Sequence, residues 1–233
     1  MPNWPAAIVF DFDGVIVNSE PLHFLAFSEV LRAEKINLTE EEYYGELIGF
    51  DDRGAFRHVF EKRSLPLEPK TLLRVMAVKG RAMRRLIESH KVKPIAGAQE
   101  LIRALWRNYP LGICSGALRD EIEILLEGVS LRDCFKVIVA AEDVTVGKPD
   151  PSGYLLATKL LGESVHKHFH PKDVLVVEDA PTVISAVRAI GFSTLGVAGS
   201  YPVGKLTDAN YVVSSLAPDE VKKKIPQLKL MIS

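Results

Sequence analysis

Residues 6–14 read AAIVFDFDG. The run from Ala6 to Phe10 is short and apolar, carries Ile8 and Val9 at its centre, and stops at Asp11, Asp13 and Gly14. A continuous apolar run of this length is the pattern of a strand buried on both faces, the parallel-sheet type. Similar runs recur at 111–114 (LGIC), 137–141 (VIVAA), 174–177 (VLVV) and 194–197 (TLGV), with a weaker one at 211–213 (YVV). Helical patterns separate them at 98–106, 118–126, 152–161 and 182–189. Strands alternating with helices predict βαβ units, hence an α/β fold with a doubly wound parallel sheet.

One interval breaks the alternation. Between residues 19 and 93 no strand pattern is found, and helices fit at 21–34, 40–46, 53–63 and 69–89. In the last of these, Leu72, Met76, Met83 and Leu86 keep a helical stripe. We therefore expect an α/β core of residues 1–18 and 94–233, interrupted by an inserted helical cap of residues 19–93.

Composition narrows the class. A hydrophobic content of 47% rules out intrinsic disorder. With 29 Lys+Arg against 30 Asp+Glu, the chain lacks the basic excess of a nucleic-acid binder. Two cysteines, Cys114 and Cys134, cannot build a disulfide framework. No apolar run approaches the roughly 20 residues of a membrane helix, and residues 1–5 lack a basic stretch leading into an apolar one. A soluble, cytoplasmic protein without nucleic-acid or membrane partners is expected, and a monomer.

The chemistry-bearing residues fall at strand C-terminal ends, where ligands bind in open parallel sheets. Asp11 and Asp13 follow the first strand; alternation along an extended segment would put both on one side. They suit a nucleophile beside an acid–base carboxylate that share a divalent metal, although Asp and Gly also suit a plain turn. Ser115 and Gly116 follow the second strand and offer a hydroxyl and a close-approach backbone for a phosphate. Lys148 follows the third, on a loop stiffened by Pro149 and Pro151. Glu178 and Asp179 follow the fourth and suit a hard cation with oxygen ligands. Each has a bland alternative as turn or surface charge, but four at successive strand ends are hard to explain blandly.

In these motifs the chain resembles the haloacid dehalogenase superfamily of phosphohydrolases, in the branch with a small helical cap after the first strand. The resemblance rests on Asp11-Phe12-Asp13-Gly14, Ser115, Lys148 with Pro149, and Glu178-Asp179, and it spans essentially the whole chain. It implies that Asp11 attacks phosphorus and that Asp13 is the general acid and base. It further implies that Asp11, Asp13 (through its backbone carbonyl), Glu178 and Asp179 hold Mg²⁺, and that Ser115, Gly116 and Lys148 grip the phosphoryl group. The chain departs from the family pattern at Val183, where a Gly is common, so we expect Pro181 to open the following helix instead. Ala117 adds no hydroxyl after Ser115.

The segment around Ser19 and His23 is similar to the β-phosphoglucomutase-like subgroup, which implies that His23 positions Asp13 or a substrate hydroxyl. The stretch 49–53 (GFDDR) is similar to a substrate-contacting cap loop, with Arg53 slightly shifted, and Lys79 corresponds to a second substrate-binding lysine. Residues 69–94 hold eight Lys/Arg and one Glu, whereas 34–52 hold seven Asp/Glu and one Lys. Either these faces pair with each other, or the basic one forms a wall that attracts anions. The histidines of 166–170 (HKHFH) read as an exposed loop. The function expected is a Mg²⁺-dependent phosphatase of a small phosphorylated metabolite, a sugar or nucleoside phosphate. The alternatives are a phosphosugar mutase and a catalytically silent binding protein on the same scaffold.

Overall fold

The computed structural model describes residues 4–48, 50–89 and 92–230. Met1–Asn3 and Gly49, which entered the sequence reading, lie outside them. Among the described residues, β1 (Ala7–Phe10), β2 (Leu111–Cys114), β3 (Val137–Val139), β4 (Val174–Glu178), β5 (Ser193–Val197) and β6 (Tyr211–Val213) form one sheet in the order β3-β2-β1-β4-β5-β6. All neighbouring pairs are parallel.

The sheet is buried on both faces, as its unbroken apolar runs require. Ile8 and Phe10 of β1 point into the cluster built with α5 (Ala98–Leu105), α6 (Arg119–Gly128) and α9 (Pro218–Lys224). Ala7 and Val9 point the other way, against α7 (Ser152–Ser164) and α8 (Pro181–Ala189). The doubly wound architecture is therefore as expected. Strand order reverses between β1 and β4, which opens a crevice at their C-terminal ends.

The helical insertion comprises α1 (Glu20–Ala33), α2 (Glu40–Glu42) continuing into a π turn at Tyr43–Leu47, α3 (Asp52–Lys62) and α4 (Pro69–Ser89). Phe27, Leu31, Phe56, Val59 and Val75 give it an apolar cluster of its own. Leu22 and Ala26 at the start of α1, and Ala82, Met83 and Ile87 late in α4, belong instead to the larger core and root the insertion there.

Four local expectations differ from what forms. The third strand ends at Val139, because Asp143 turns back to accept the Ala140 N–H at 2.8 Å and closes a 3-10 turn. The helix expected at 40–46 is α-helical only to Glu42. Helix α9 has no counterpart in the sequence pattern; of its seven residues only Val221 is buried, so it leaves no periodic signal. In α4 the buried face is Leu72, Val75, Lys79, Ala82, Met83 and Ile87, with Met76 and Leu86 on its flanks. A charged residue on that face shifts the stripe away from a purely apolar reading. None of the helices among the described residues is long and apolar enough to cross a membrane.

Candidate active site

Asp11 continues β1 by one ladder bond, its N–H donating to Val177 O at 2.8 Å. The chain then leaves the extended form. Phe12 O accepts from Ile16 N at 2.8 Å and Gly14 N donates to Val17 O at 2.9 Å. Gly14 has φ +78°, and a Cβ there would lie 2.1 Å from Asp179 Oδ2. Only glycine permits both that backbone and that approach. A tight turn, not strand alternation, thus brings Asp11 and Asp13 to one cavity.

The fourth-motif carboxylates close on Asp11 from the β4 end. One oxygen from each of Asp11, Glu178 and Asp179 lies within 4.8 Å of the others. Lys148 spans two of them, at 2.5 Å from Asp11 Oδ1 and 2.8 Å from Glu178 Oε1. Glu178 is fully buried; it also accepts from Tyr154 OH at 3.2 Å and from Ala180 N at 2.6 Å. Asp179 accepts from Ser200 Oγ. Burial pushes the Asp11 carboxyl up to about 8, against the pull of Lys148 and with a further push from Glu178 and Asp13. Burial, Glu178 and Asp11 likewise raise Asp179. Three carboxylates and one ammonium leave this pocket short of positive charge, which is what an oxygen-liganded divalent cation supplies.

Asp13 faces the helical insertion. It accepts from Ser19 Oγ, and His23 Nε2 stands 3.7 Å from its Oδ1. Burial raises the Asp13 carboxyl, but the hydrogen bond and charge of His23 and the Ser19 hydroxyl outweigh it and hold Asp13 below its ordinary value. Burial and Lys79 depress His23, yet Asp13 and Glu20 carry it above its ordinary value. Behind His23, Lys79 Nζ lies 2.8 Å from His23 Nδ1 and 2.8 Å from Asp52. Lys79 is 1% exposed.

The other expected residues divide. Gly116 lines the same cavity, whereas Ser115 lines the adjoining one, accepts from Ala117 N at 3.0 Å, and stands 3.4 Å from Asp13 Oδ2. Ser19 and His23 converge on Asp13, and Lys79 reaches it only through His23. Arg53 does not: it is exposed and lines only the adjoining cavity. Val183 is buried and lines the main cavity, with Pro181 in the first turn of α8 as expected. The arginines of the basic helix do not line the cavity of Asp11. Arg74 pairs with Glu34, Arg85 with Glu29 and Arg84 with Asp120, all on exposed faces. Among the described residues, the histidines of 166–170 are in no cluster of three metal ligands.

Several residues were missed. Tyr43, which donates to Glu20 at 2.6 Å, and Tyr154 carry no motif signal. Asp51 and Asp52 stand beside Arg53 in the cap loop and line the cavity that Arg53 does not. Ser200 follows β5, so the same strand-end rule could have found it.

Comparison with known proteins agrees with this geometry. Residues 8–197 match the family described as haloacid dehalogenase-like hydrolase. The chain is 28% identical over 192 residues to the fructose-1-phosphate phosphatase of Escherichia coli, covering 82% of this chain and 96% of that one. It is 30% identical over 207 residues to the beta-phosphoglucomutase of Bacillus subtilis, covering 84% and 85%. The crystal structure of beta-phosphoglucomutase from Clostridium difficile superposes with a TM-score of 0.81 at 21% identity, over 94% of this chain and 96% of that one, a likeness of fold. Strand order, inserted helices, motif positions and the match across residues 8–197 agree: the chain belongs to the haloacid dehalogenase-like hydrolases.

Proposed function

We propose that the protein is a Mg²⁺-dependent phosphatase of small phosphorylated carbohydrates, working through an aspartyl-phosphate on Asp11. The observation that carries this reading is the crowding of Asp11, Glu178 and Asp179 around the ammonium of Lys148, in one cavity with Asp13. Both curated relatives are named for sugar phosphates, which supports the substrate class. Asp11, Glu178 and Asp179 would hold Mg²⁺, with the Asp13 backbone carbonyl. Bound there, Mg²⁺ would neutralise phosphoryl oxygens and let an anionic ester approach an anionic nucleophile.

Lys148 releases Asp11 and Glu178 to grip a phosphoryl oxygen, aided by Ser115 and the Gly116 backbone. Asp11 attacks phosphorus, the bond to the leaving oxygen breaks, and that oxygen takes a proton from Asp13. A water then attacks the aspartyl-phosphate and gives its proton to Asp13, freeing Asp11 and inorganic phosphate. Asp13 is held below its ordinary value, so it has to take up a proton before it can serve the leaving oxygen, and His23 Nε2 stands 3.7 Å from it.

Phosphate release from a panel of sugar and nucleoside monophosphates with Mg²⁺ tests this reading. Wild type should turn over at least one ester that Asp11→Asn does not; equal inactivity on all of them would sink it. The mutase alternative is favoured by the Bacillus subtilis relative and by the approach of His23 to Asp13, with Lys79 behind His23. A coupled assay of β-glucose 1-phosphate with a bisphosphate primer decides it, since phosphate release without an isomer product excludes a mutase. A catalytically silent protein would fail to trap beryllium fluoride at saturating Mg²⁺.

A further inference from the structure

In this reaction the leaving group has to sit between Asp13 and the helices folded over it. That wall presents Glu20, Tyr43, Asp51 and Asp52 to the cavity. Its cations are already committed. Lys79 is buried against Asp52 and His23. Glu121 of α6 also acts on Lys79; it is 3% exposed, and neither of its carboxylate oxygens has a hydrogen-bond partner among the described residues. His23 leans on Asp13. After Ser115, the chain offers Ala117 and Leu118, and Arg119 is turned to Asp143 and the Ile138 carbonyl. Arg53 lines the adjoining cavity.

Asp51 is the most exactingly placed of these acids. Its Oδ1 caps α3 by accepting from Gly54 N at 2.7 Å. Its Oδ2 lies so near Gly147 that a Cβ there would stand 2.4 Å away, and a Cβ on Gly116 would be 3.8 Å from that of Asp51. The carboxylate is thus pinned between the segments that lead into Ser115–Gly116 and Lys148. Its Oδ2 accepts no hydrogen bond from the described residues and is left for a donor on a ligand.

We infer that the site selects monophosphate esters whose leaving alcohol carries no second anion, a neutral polyol or an amino polyol, and that Asp51 sets this selectivity. This rests on the phosphatase reading above. A second phosphate or a carboxylate on the leaving group would face Glu20, Asp51 and Asp52, and that cavity offers no cationic side chain beyond Lys148 and His23, since Arg53 lines only the adjoining one; like charges in a partly desolvated cavity are penalised. A hydroxyl or ammonium would meet acceptors instead.

The test compares kcat/KM, with Mg²⁺, for glucose 6-phosphate, glucosamine 6-phosphate, 6-phosphogluconate and fructose 1,6-bisphosphate, with p-nitrophenyl phosphate as a reference. The first two should exceed the anionic pair by about tenfold or more. Asp51→Asn keeps the oxygen that caps α3 and should narrow the glucosamine 6-phosphate to 6-phosphogluconate ratio by about threefold or more. The change should appear mainly in KM. Hydrolysis with no preference, or a ratio unmoved by Asp51→Asn, overturns this inference alone. No hydrolysis of any ester, p-nitrophenyl phosphate included, overturns the phosphatase reading and this inference with it.

Discussion

On the sheet side of the cleft, Asp11, Glu178 and Asp179 share the single ammonium of Lys148. On the helical side, the single ammonium of Lys79 is held by Asp52 and His23, with the Glu121 carboxylate behind it. Lys79 is the more isolated from solvent, its side chain 1% exposed against 12% for Lys148, and their surroundings differ. Lys148 sits among groups pressed together at strand ends, whose ionised forms burial disfavours and a cation would stabilise. Lys79 sits inside a network that leans on Asp13 through His23 and leaves the leaving-group side acidic. The first arrangement suits bond making at phosphorus, the second the orientation of a proton donor and the choice of substrate.

Substitutions should break this contrast in graded fashion. Asp11→Asn removes the nucleophile and should cut turnover by about 10⁴-fold or more, measured as phosphate release. In the same cluster, saturating Mg²⁺ at about 100 times its Kd should stabilise the wild type by about 2.7 kcal/mol, read as a rise in Tm. Asp179→Asn should shrink that rise, and no rise in the wild type would break the cation reading. Asp13→Asn should slow turnover by about 10²-fold or more. Its Mg²⁺-induced Tm rise should persist, because the ligand it is expected to offer is a backbone carbonyl; undiminished turnover would mean that Asp13 is not the acid.

Lys79→Met tests the helical side. It strips the counterion from Asp52 and Glu121, so stability should fall by about 3–5 kcal/mol. Turnover should fall about tenfold, less than for Asp13→Asn, because Lys79 acts through His23. A loss equal to that of Asp11→Asn would erase the distinction between the two clusters. Arg53→Ala should have the smallest effect, within about twofold on kcat/KM for neutral sugar phosphates, as for an exposed residue outside the cavity of Asp11.

How much of the site was legible differs between the two clusters for a physical reason. Asp11, Gly116 and Asp179 sit one or two positions beyond an apolar strand, Glu178 closes one, Lys148 stands on the loop that follows β3, and parallel strands end together at one edge of the sheet. Position along the chain therefore translated into position in space for Asp11, Gly116, Lys148, Glu178 and Asp179. The same rule covers Ser200, which follows β5. The helical residues have no such shared edge. Ser19, His23, Asp52 and Lys79 meet only because α1, α3 and α4 pack side by side, and that packing depends on which face of each helix is buried. The apolar stripe of α4 misses Lys79, since a lysine on the buried face is invisible to hydrophobic periodicity.

By itself the sequence determined the alternation of strands and helices, the inserted helical segment and the strand-end placement of the acids and Lys148. These are local properties, set by apolar period, chain stiffness and the order of the motifs. Tertiary structure alone decided that the Asp11–Gly14 segment turns rather than extends, that Lys79 is buried while its basic neighbours are solvated, and that Arg53 lines only the cavity adjoining that of Asp11. It also placed Asp51 between the two glycine-bearing loops. Each of these depends on contacts between segments far apart in the chain, and the free energy of such a contact lies in the packed geometry, where charge, burial and steric clearance are settled together.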